Sequence, residues 1–158
     1  MSISHNMDVS SYYHGNKNSD PKKEITELRR EDEKAWDSYI LKSDQSTFYH
    51  QIGWRNVVEK TYKHKPIYLI AKEAGEINGV LPLFLMKSVI FGKKLVSVPF
   101  APYGGVCAND KTIEKALVEE ATRITEESGA DYLELRTISE GNTPDLIGGT
   151  GESSGVGW

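Results

Sequence analysis

The chain has one cysteine, Cys107, so no disulfide can form within it. A fold that must hold without such cross-links suits a reducing compartment, and the expected location is cytoplasmic. No apolar run approaches the roughly 20 residues that a membrane-spanning helix needs. The N-terminal run MSISHNMDVSSYYHGNKNSD has no apolar centre and does not read as a secretory signal. An excess of positive charge is also missing. Lys and Arg number 19 against 23 Asp and Glu, for a net charge of -4, whereas a DNA-binding basic face normally shows the opposite sign. No His, Cys or Asp residues stand at metal-ligand spacing, so no metal is expected. No Ser-His-Asp or Cys-His grouping for covalent catalysis emerges.

What is present fits one domain with a real core, since 158 residues suffice for that. Residues 1–23 are polar and aperiodic and read as a flexible tail. Residues 24–139 carry the periodic segments. Residues 140–158, EGNTPDLIGGTGESSGVGW, are glycine-rich and nearly empty of core residues, so they read as a disordered tail. The periodic part predicts the order β-α-α-β-β-β-α-β. Strands are expected at 25–29, 66–72, 80–87, 95–100 and 131–136. Helices are expected at 32–41, with Trp36 and Ile40 inward, and at 51–62, with Trp54, Val57, Val58 and Tyr62 inward. A third runs to about Ser128 from a cap at Asn109 or Asp110, with Ile113, Leu117, Ala121 and Ile124 inward and Gly129 as its stop. Pro82 removes a ladder donor and belongs at a bulge or an edge-facing position. Tight turns make the middle strands antiparallel, and the helical crossover makes the last one parallel to its predecessor. The fold class is therefore α/β (α+β), with a mixed sheet flanked by helices.

Several segments together resemble one family. Thr47-Phe48-Tyr49-His50-Gln51-Ile52-Gly53-Trp54 resembles the Phe-x-x-Gln-x-x-Trp-like start of the second helix in Fem-type N-acyltransferases. Gly79-Val80-Leu81-Pro82-Leu83 looks like their central strand. Pro102-Tyr103-Gly104-Gly105-Val106 looks like the loop after their fourth strand, with Tyr and Gly where many members have Arg and Pro. That departure is closer to the subgroup linked to exopolysaccharide and sorting systems. The resemblance spans residues 25–136. It implies an acetyltransferase-like (GNAT) fold with a mostly antiparallel sheet. The family normally has two such domains in tandem, so it implies the first half of an enzyme, a truncated or frame-disrupted product that is poorly active alone.

The candidate site residues each carry more than one reading. The turn Tyr103-Gly104-Gly105 reads as a structural turn, as an acceptor contact, or as a cradle for a coenzyme A pyrophosphate ahead of a helix. The usual spaced glycines of the last reading are missing. His50, Gln51 and Trp54 lie at the start of a helix. His50 titrates near neutrality and suits a general base, or it belongs to a cap region with Trp54 in the core. Arg136 ends the YLELR strand, facing a cleft or solvent. His64 reads as a solvated turn residue. Nothing near Cys107 argues for a lowered thiol pKa. The tail run Gly149-Thr150-Gly151-Glu152-Ser153-Ser154-Gly155 imitates a dinucleotide loop without the strand and helix that such a loop needs.

The resemblance implies transfer of an acyl or aminoacyl group onto an amine of a cell-envelope or exopolysaccharide-related precursor. The donor substrate would be acyl-CoA or aminoacyl-tRNA, with no firmly bound cofactor. The alternatives are a stand-alone acetyl-CoA-dependent N-acetyltransferase and a non-catalytic binding or dimerisation module. Expected partners are the small-molecule or cell-envelope precursor acceptor, an aminoacyl-tRNA where that is the donor, and a second copy or a second GNAT-like half, with no DNA.

Overall fold

The computed structural model describes residues 23–136 and the strand Leu146–Gly148. Among the described residues one sheet carries seven strands. They are β1 (Glu24–Glu27), β2 (Lys65–Glu73), β3 (Glu76–Ser88), β4 (Gly92–Val96), β5 (Cys107–Ala108), β6 (Tyr132–Glu134) and β7 (Leu146–Gly148). The order is β1-β2-β3-β4-β6-β7, with β5 paired to β3. Every pair is antiparallel except β4–β6, which follows the crossover helix. The expected fold class holds. The helices are α1 (Glu33–Lys42), α2 (Ile52–Tyr62) and α3 (Lys111–Glu127).

Strand alternation sends two apolar sets to opposite faces. Ile67, Leu69, Leu81, Leu83, Leu85, Leu95 and Leu133 meet Ile113, Leu117 and Ala121 of α3. Tyr68, Ile70, Val80 and Phe84 meet Trp36 and Ile40 of α1 and Ile52 and Val58 of α2. Trp36 lies 4.9 Å from Tyr68, ring centre to ring centre, and Phe84 packs edge-on against Tyr68. Each fully buried leucine contributes on the order of 2 kcal/mol. Gly79 lets α3 approach the sheet, because a Cβ there would stand 2.5 Å from Ile113 Cγ2.

The inner face of α2 differs from the expectation. Ile52 and Val58 are buried, whereas Val57 and Tyr62 are about half exposed. Only one side of α2 meets the sheet, and Arg55 takes an inward position above the Tyr68 ring. On α3, Thr125 is buried beside the predicted positions by donating its hydroxyl to the Ala121 carbonyl.

Among the strands, the limits of β3 and β4 move most. The turn after β2 is just Ala74-Gly75, both at positive φ, so β3 begins at Glu76 instead of residue 80. Asn78 is the extra residue in the register shift opposite Ala71 and Lys72. The second turn uses Val89, Ile90 and Phe91, while Lys93 and Lys94 belong to β4. β4 stops at Val96 because Val98 (φ 52) and Phe100 (φ 64) take left-handed backbone on either side of Pro99.

β4 and β5 both pair with β3, at Phe84–Ser88 and Gly79–Val80 respectively, and leave Leu81 to Leu83 without a partner on that side. Tyr68, opposite Pro82, gives its carbonyl to Leu28 N–H on the β1 side. Antiparallel alternation then turns the Pro82 nitrogen away from β2, into the gap between β4 and β5. The missing donor falls where no acceptor waits. Strand β7 lies within the segment expected to be a glycine-rich tail and pairs with β6. The expectations for residues 1–22, 137–145 and 149–158 lie outside the described residues.

Candidate functional site

The ten residues from Ser97 to Val106 leave the sheet between β4 and β5 and return to it. Ser97 anchors the departure. Its N–H donates to the Glu134 carbonyl, and its buried hydroxyl accepts from Arg136 N–H at 2.7 Å. Gly104 anchors the return, donating to the Arg136 carbonyl at 3.0 Å. Gly104 is also required sterically, since a Cβ there would lie 2.5 Å from Val98 Cγ2.

This excursion forms one wall of a cleft of about 370 Å³. Tyr103, Gly104, Gly105 and Val106 contribute that wall. The opposite wall comes from the α1–α2 connection, through Asp44, Gln45, Thr47 and His50. Lys111 and Glu114 enter from the first turn of α3, and Arg136 from beyond β6. Five of the residues singled out from sequence therefore come together: His50, Tyr103, Gly104, Gly105 and Arg136. Gln51 and Trp54 do not join them. Gln51 is the extended residue just before α2, and Trp54 packs edge-on against Phe48 and Tyr49 with its indole N–H buried and without a partner among the described residues.

His50 binds the two walls. It is buried, with 2% exposure. Nδ1 accepts the Thr47 backbone N–H at 3.0 Å, which assigns the ring proton to Nε2. Nε2 donates to the Gly105 carbonyl at 2.9 Å, with Cys107 Sγ 3.3 Å away. Burial holds the His50 pKa below 6.5, so the neutral ring persists. Trp36 fixes the same segment by donating its indole N–H to the His50 carbonyl at 2.7 Å. A ring with both nitrogens engaged is a pin, not an available base. This geometry suits the cap-region reading better than the general-base one, although the tryptophan fully buried beneath His50 is Trp36 and not Trp54. Burial pushes the Cys107 thiol up to about 12, which leaves it protonated and unreactive at neutral pH.

The cleft is mixed in charge. Lys111 pairs with Glu114 at 2.7 Å. Arg136 donates through Nε to Glu134 at 2.7 Å and through one Nη to the Ala101 carbonyl at 2.8 Å. Asp44 has no ion-pair partner among the described residues. Tyr103 is 39% exposed and forms the rim.

The glycine turn does not precede a helix. It precedes β5, and the segment entering α3 is Ala108-Asn109-Asp110. There the Asp110 carboxylate accepts Thr112 N–H at 2.8 Å and Ile113 N–H at 2.9 Å. These bonds hold its pKa below the usual carboxylate value. The coenzyme A reading of Tyr103-Gly104-Gly105, one of three open for that turn, needs a helix directly after it; a strand follows instead, and the helix start carries its own carboxylate.

Asp44, Gln45, Lys111 and Glu114 had no signal in the sequence, because surface polar residues converge through tertiary folding. Thr47 had a faint one. Thr-x-x-His has the spacing of a capping box with His in place of Glu or Gln, and the histidine half of it forms, with Nδ1 accepting the Thr47 N–H.

No protein-family model and no curated protein matches the chain. Solved structures do. A GNAT-family acetyltransferase from Brucella melitensis, in complex with acetyl-CoA, aligns over 73% of this chain and 75% of its own length, with a TM-score of 0.53 and 16% identity. A GNAT-family acetyltransferase from Staphylococcus aureus aligns over 86% of this chain and 97% of its own, with a TM-score of 0.53 and 12% identity. FemX aligns over 71% of this chain with a TM-score of 0.56 and 15% identity, and this chain spans 26% of FemX. The chain has the GNAT fold. In GNAT terms the central strands are β2, β3 and the interrupted pair β4 and β5, and α3 is the crossover to the parallel strand β6.

Proposed function

We propose that this chain serves N-acyl transfer as the acceptor-holding half of a Fem-like reaction. An acyl or aminoacyl group would pass to an amine of a cell-envelope or exopolysaccharide-related precursor. The GNAT fold supports the acyltransferase class, and the likeness to FemX favours the Fem-type branch. The cleft suits an acceptor with both charges. Asp44 and Glu114 offer carboxylates to an ammonium group, and Arg136 and Lys111 offer cations to a carboxylate.

One observation carries the assignment to the acceptor side: the Asp110 carboxylate occupies the N–H groups at the start of α3. A pyrophosphate needs such donors, and a fixed carboxylate repels it. The donor, acyl-CoA or aminoacyl-tRNA, then comes from a second GNAT-like half, since another copy of this chain would carry the same Asp110 carboxylate. In the reaction the amine attacks the donor carbonyl, a C–N bond forms, and the thioester C–S or ester C–O bond breaks. The amine proton leaves with the departing thiolate or alkoxide. Such a step depends on positioning and oxyanion stabilisation, not on a covalent nucleophile.

A second reading has its own support. The Staphylococcus aureus acetyltransferase matches over nearly its whole length, so a GNAT protein of about this size exists. Thermal-shift titrations and a turnover assay on the purified chain separate the two. A lysine-containing stem pentapeptide should stabilise the chain, and acetyl-CoA should give neither stabilisation nor turnover. Robust acetyl-CoA turnover by the 158-residue chain would promote the stand-alone enzyme.

A further inference from the structure

The turn joining β3 to β4 presents three consecutive apolar side chains to solvent. Val89 is fully exposed, Ile90 is 84% exposed and Phe91 is 82% exposed. Exposed apolar runs of this length oppose solubility unless something covers them. The tip is also ordered from within, since the Ser88 hydroxyl accepts both Ile90 N–H at 3.3 Å and Phe91 N–H at 3.2 Å. It is a hydrogen-bonded turn at the end of the longest strand.

Two lysines face each other beneath the tip. Lys87 and Lys93 stand directly opposite each other across the hairpin. Like charges in that relation destabilise a ladder. Lys93 gives its ammonium to the Ser128 carbonyl, a neutral acceptor, so its charge stays. On the other face Lys94 is paired with Glu134. Asp131 is the nearby carboxylate, and it accepts the Lys93 backbone N–H. The repelling lysine pair below an apolar tip is the arrangement that an anionic bilayer interface relieves. The apolar residues enter the acyl boundary while the ammonium groups meet the headgroups.

We propose that the Val89-Ile90-Phe91 tip is a docking wedge for an anionic membrane surface. The contact is peripheral and independent of the cleft reading. Its test is co-sedimentation of the full chain with vesicles of phosphatidylcholine alone and of phosphatidylcholine mixed with phosphatidylglycerol. The chain should partition onto the anionic vesicles, less so at high salt, and leave the neutral ones largely unbound. Replacing all three tip residues by Ser should abolish partition. Lys87→Glu should lower it roughly tenfold or more, as expected for reversing one charge near the surface. Circular dichroism on each variant checks the fold, and Phe91→Trp gives a second readout through a blue-shifted emission on anionic vesicles. Absence of wild-type partition, or partition that survives the Ser replacements, overturns the proposal. So does self-association in light scattering that the Ser replacements remove while vesicles stay unbound, since the tip would then be a contact between copies.

Discussion

His50 gives the cleft its shape by spending both ring nitrogens on backbone groups. Truncation to Ala would strand the Thr47 N–H and the Gly105 carbonyl, each at about 1–3 kcal/mol if water does not replace the ring. His50→Ala should therefore lower stability by roughly 2 kcal/mol or more, read by urea denaturation. The pH dependence follows from burial, which places the folded pKa below 6.5. The unfolded chain takes up a proton that the folded chain refuses, so His50 contributes its stability above about 6.5 and loses it as pH falls toward the folded value. His64 shifts in the same direction, also through burial. The thermal midpoint should fall as pH drops from about 7 to about 5, and His50→Gln should flatten that slope. An unchanged slope would remove His50 from this role. Tyr103 is different, because it stands on the rim. Tyr103→Ala should change stability by less than about 1 kcal/mol and weaken binding of the stem pentapeptide several-fold in the same thermal-shift titration.

At the scale of elements, the amphipathic patterns of α1 and α3 and the Asp110 cap were legible in the sequence. Their signals are local: apolar spacing of 3.6 residues and a capping side chain. The limits of β3 and β4 were not. Ala74 at φ 53 and Val98 at φ 52 adopt backbone that their side chains disfavour, so tertiary packing overrode local preference. Ala74 offers a direct test. Ala74→Asn should stabilise the β2–β3 turn by about 0.5 kcal/mol, because Asn tolerates left-handed backbone better. Equal or lower stability in denaturant would contradict that reading. Asp110 offers another. Asp110→Ala should cost about 1 kcal/mol as a lost cap. By freeing the α3 N–H groups it should also produce an acetyl-CoA-dependent thermal shift that the wild type lacks, and no gain would mean that the cap is not what excludes the donor.

For the whole molecule, the antiparallel middle strands, the parallel last one and the helices on the sheet's faces could be read from turns and crossovers, whereas β5, β7 and the cleft could not. Its walls come from segments that periodicity treats as loops, and its contacts are non-local. His50 and Gly105 are 55 residues apart, and Arg136 and Ala101 are 35 apart. Five of its residues were nonetheless flagged, because a glycine turn, a histidine at a helix start and a strand-end arginine are conspicuous by type. Asp44 and Glu114 are not. The two-residue turn between β2 and β3 has a consequence for kinetics. Their ladder closes the smallest loop in the sheet, and β3 then offers its other edge to β4 and β5. Such a hairpin pays little loop-closure entropy and should dominate the folding transition state, with φ-values near one for Ile70 and Leu81. The cleft should form on the downhill side of the barrier, with His50 and Ser97 giving φ-values near zero. Mutations in its walls would then speed unfolding while leaving the folding rate almost unchanged.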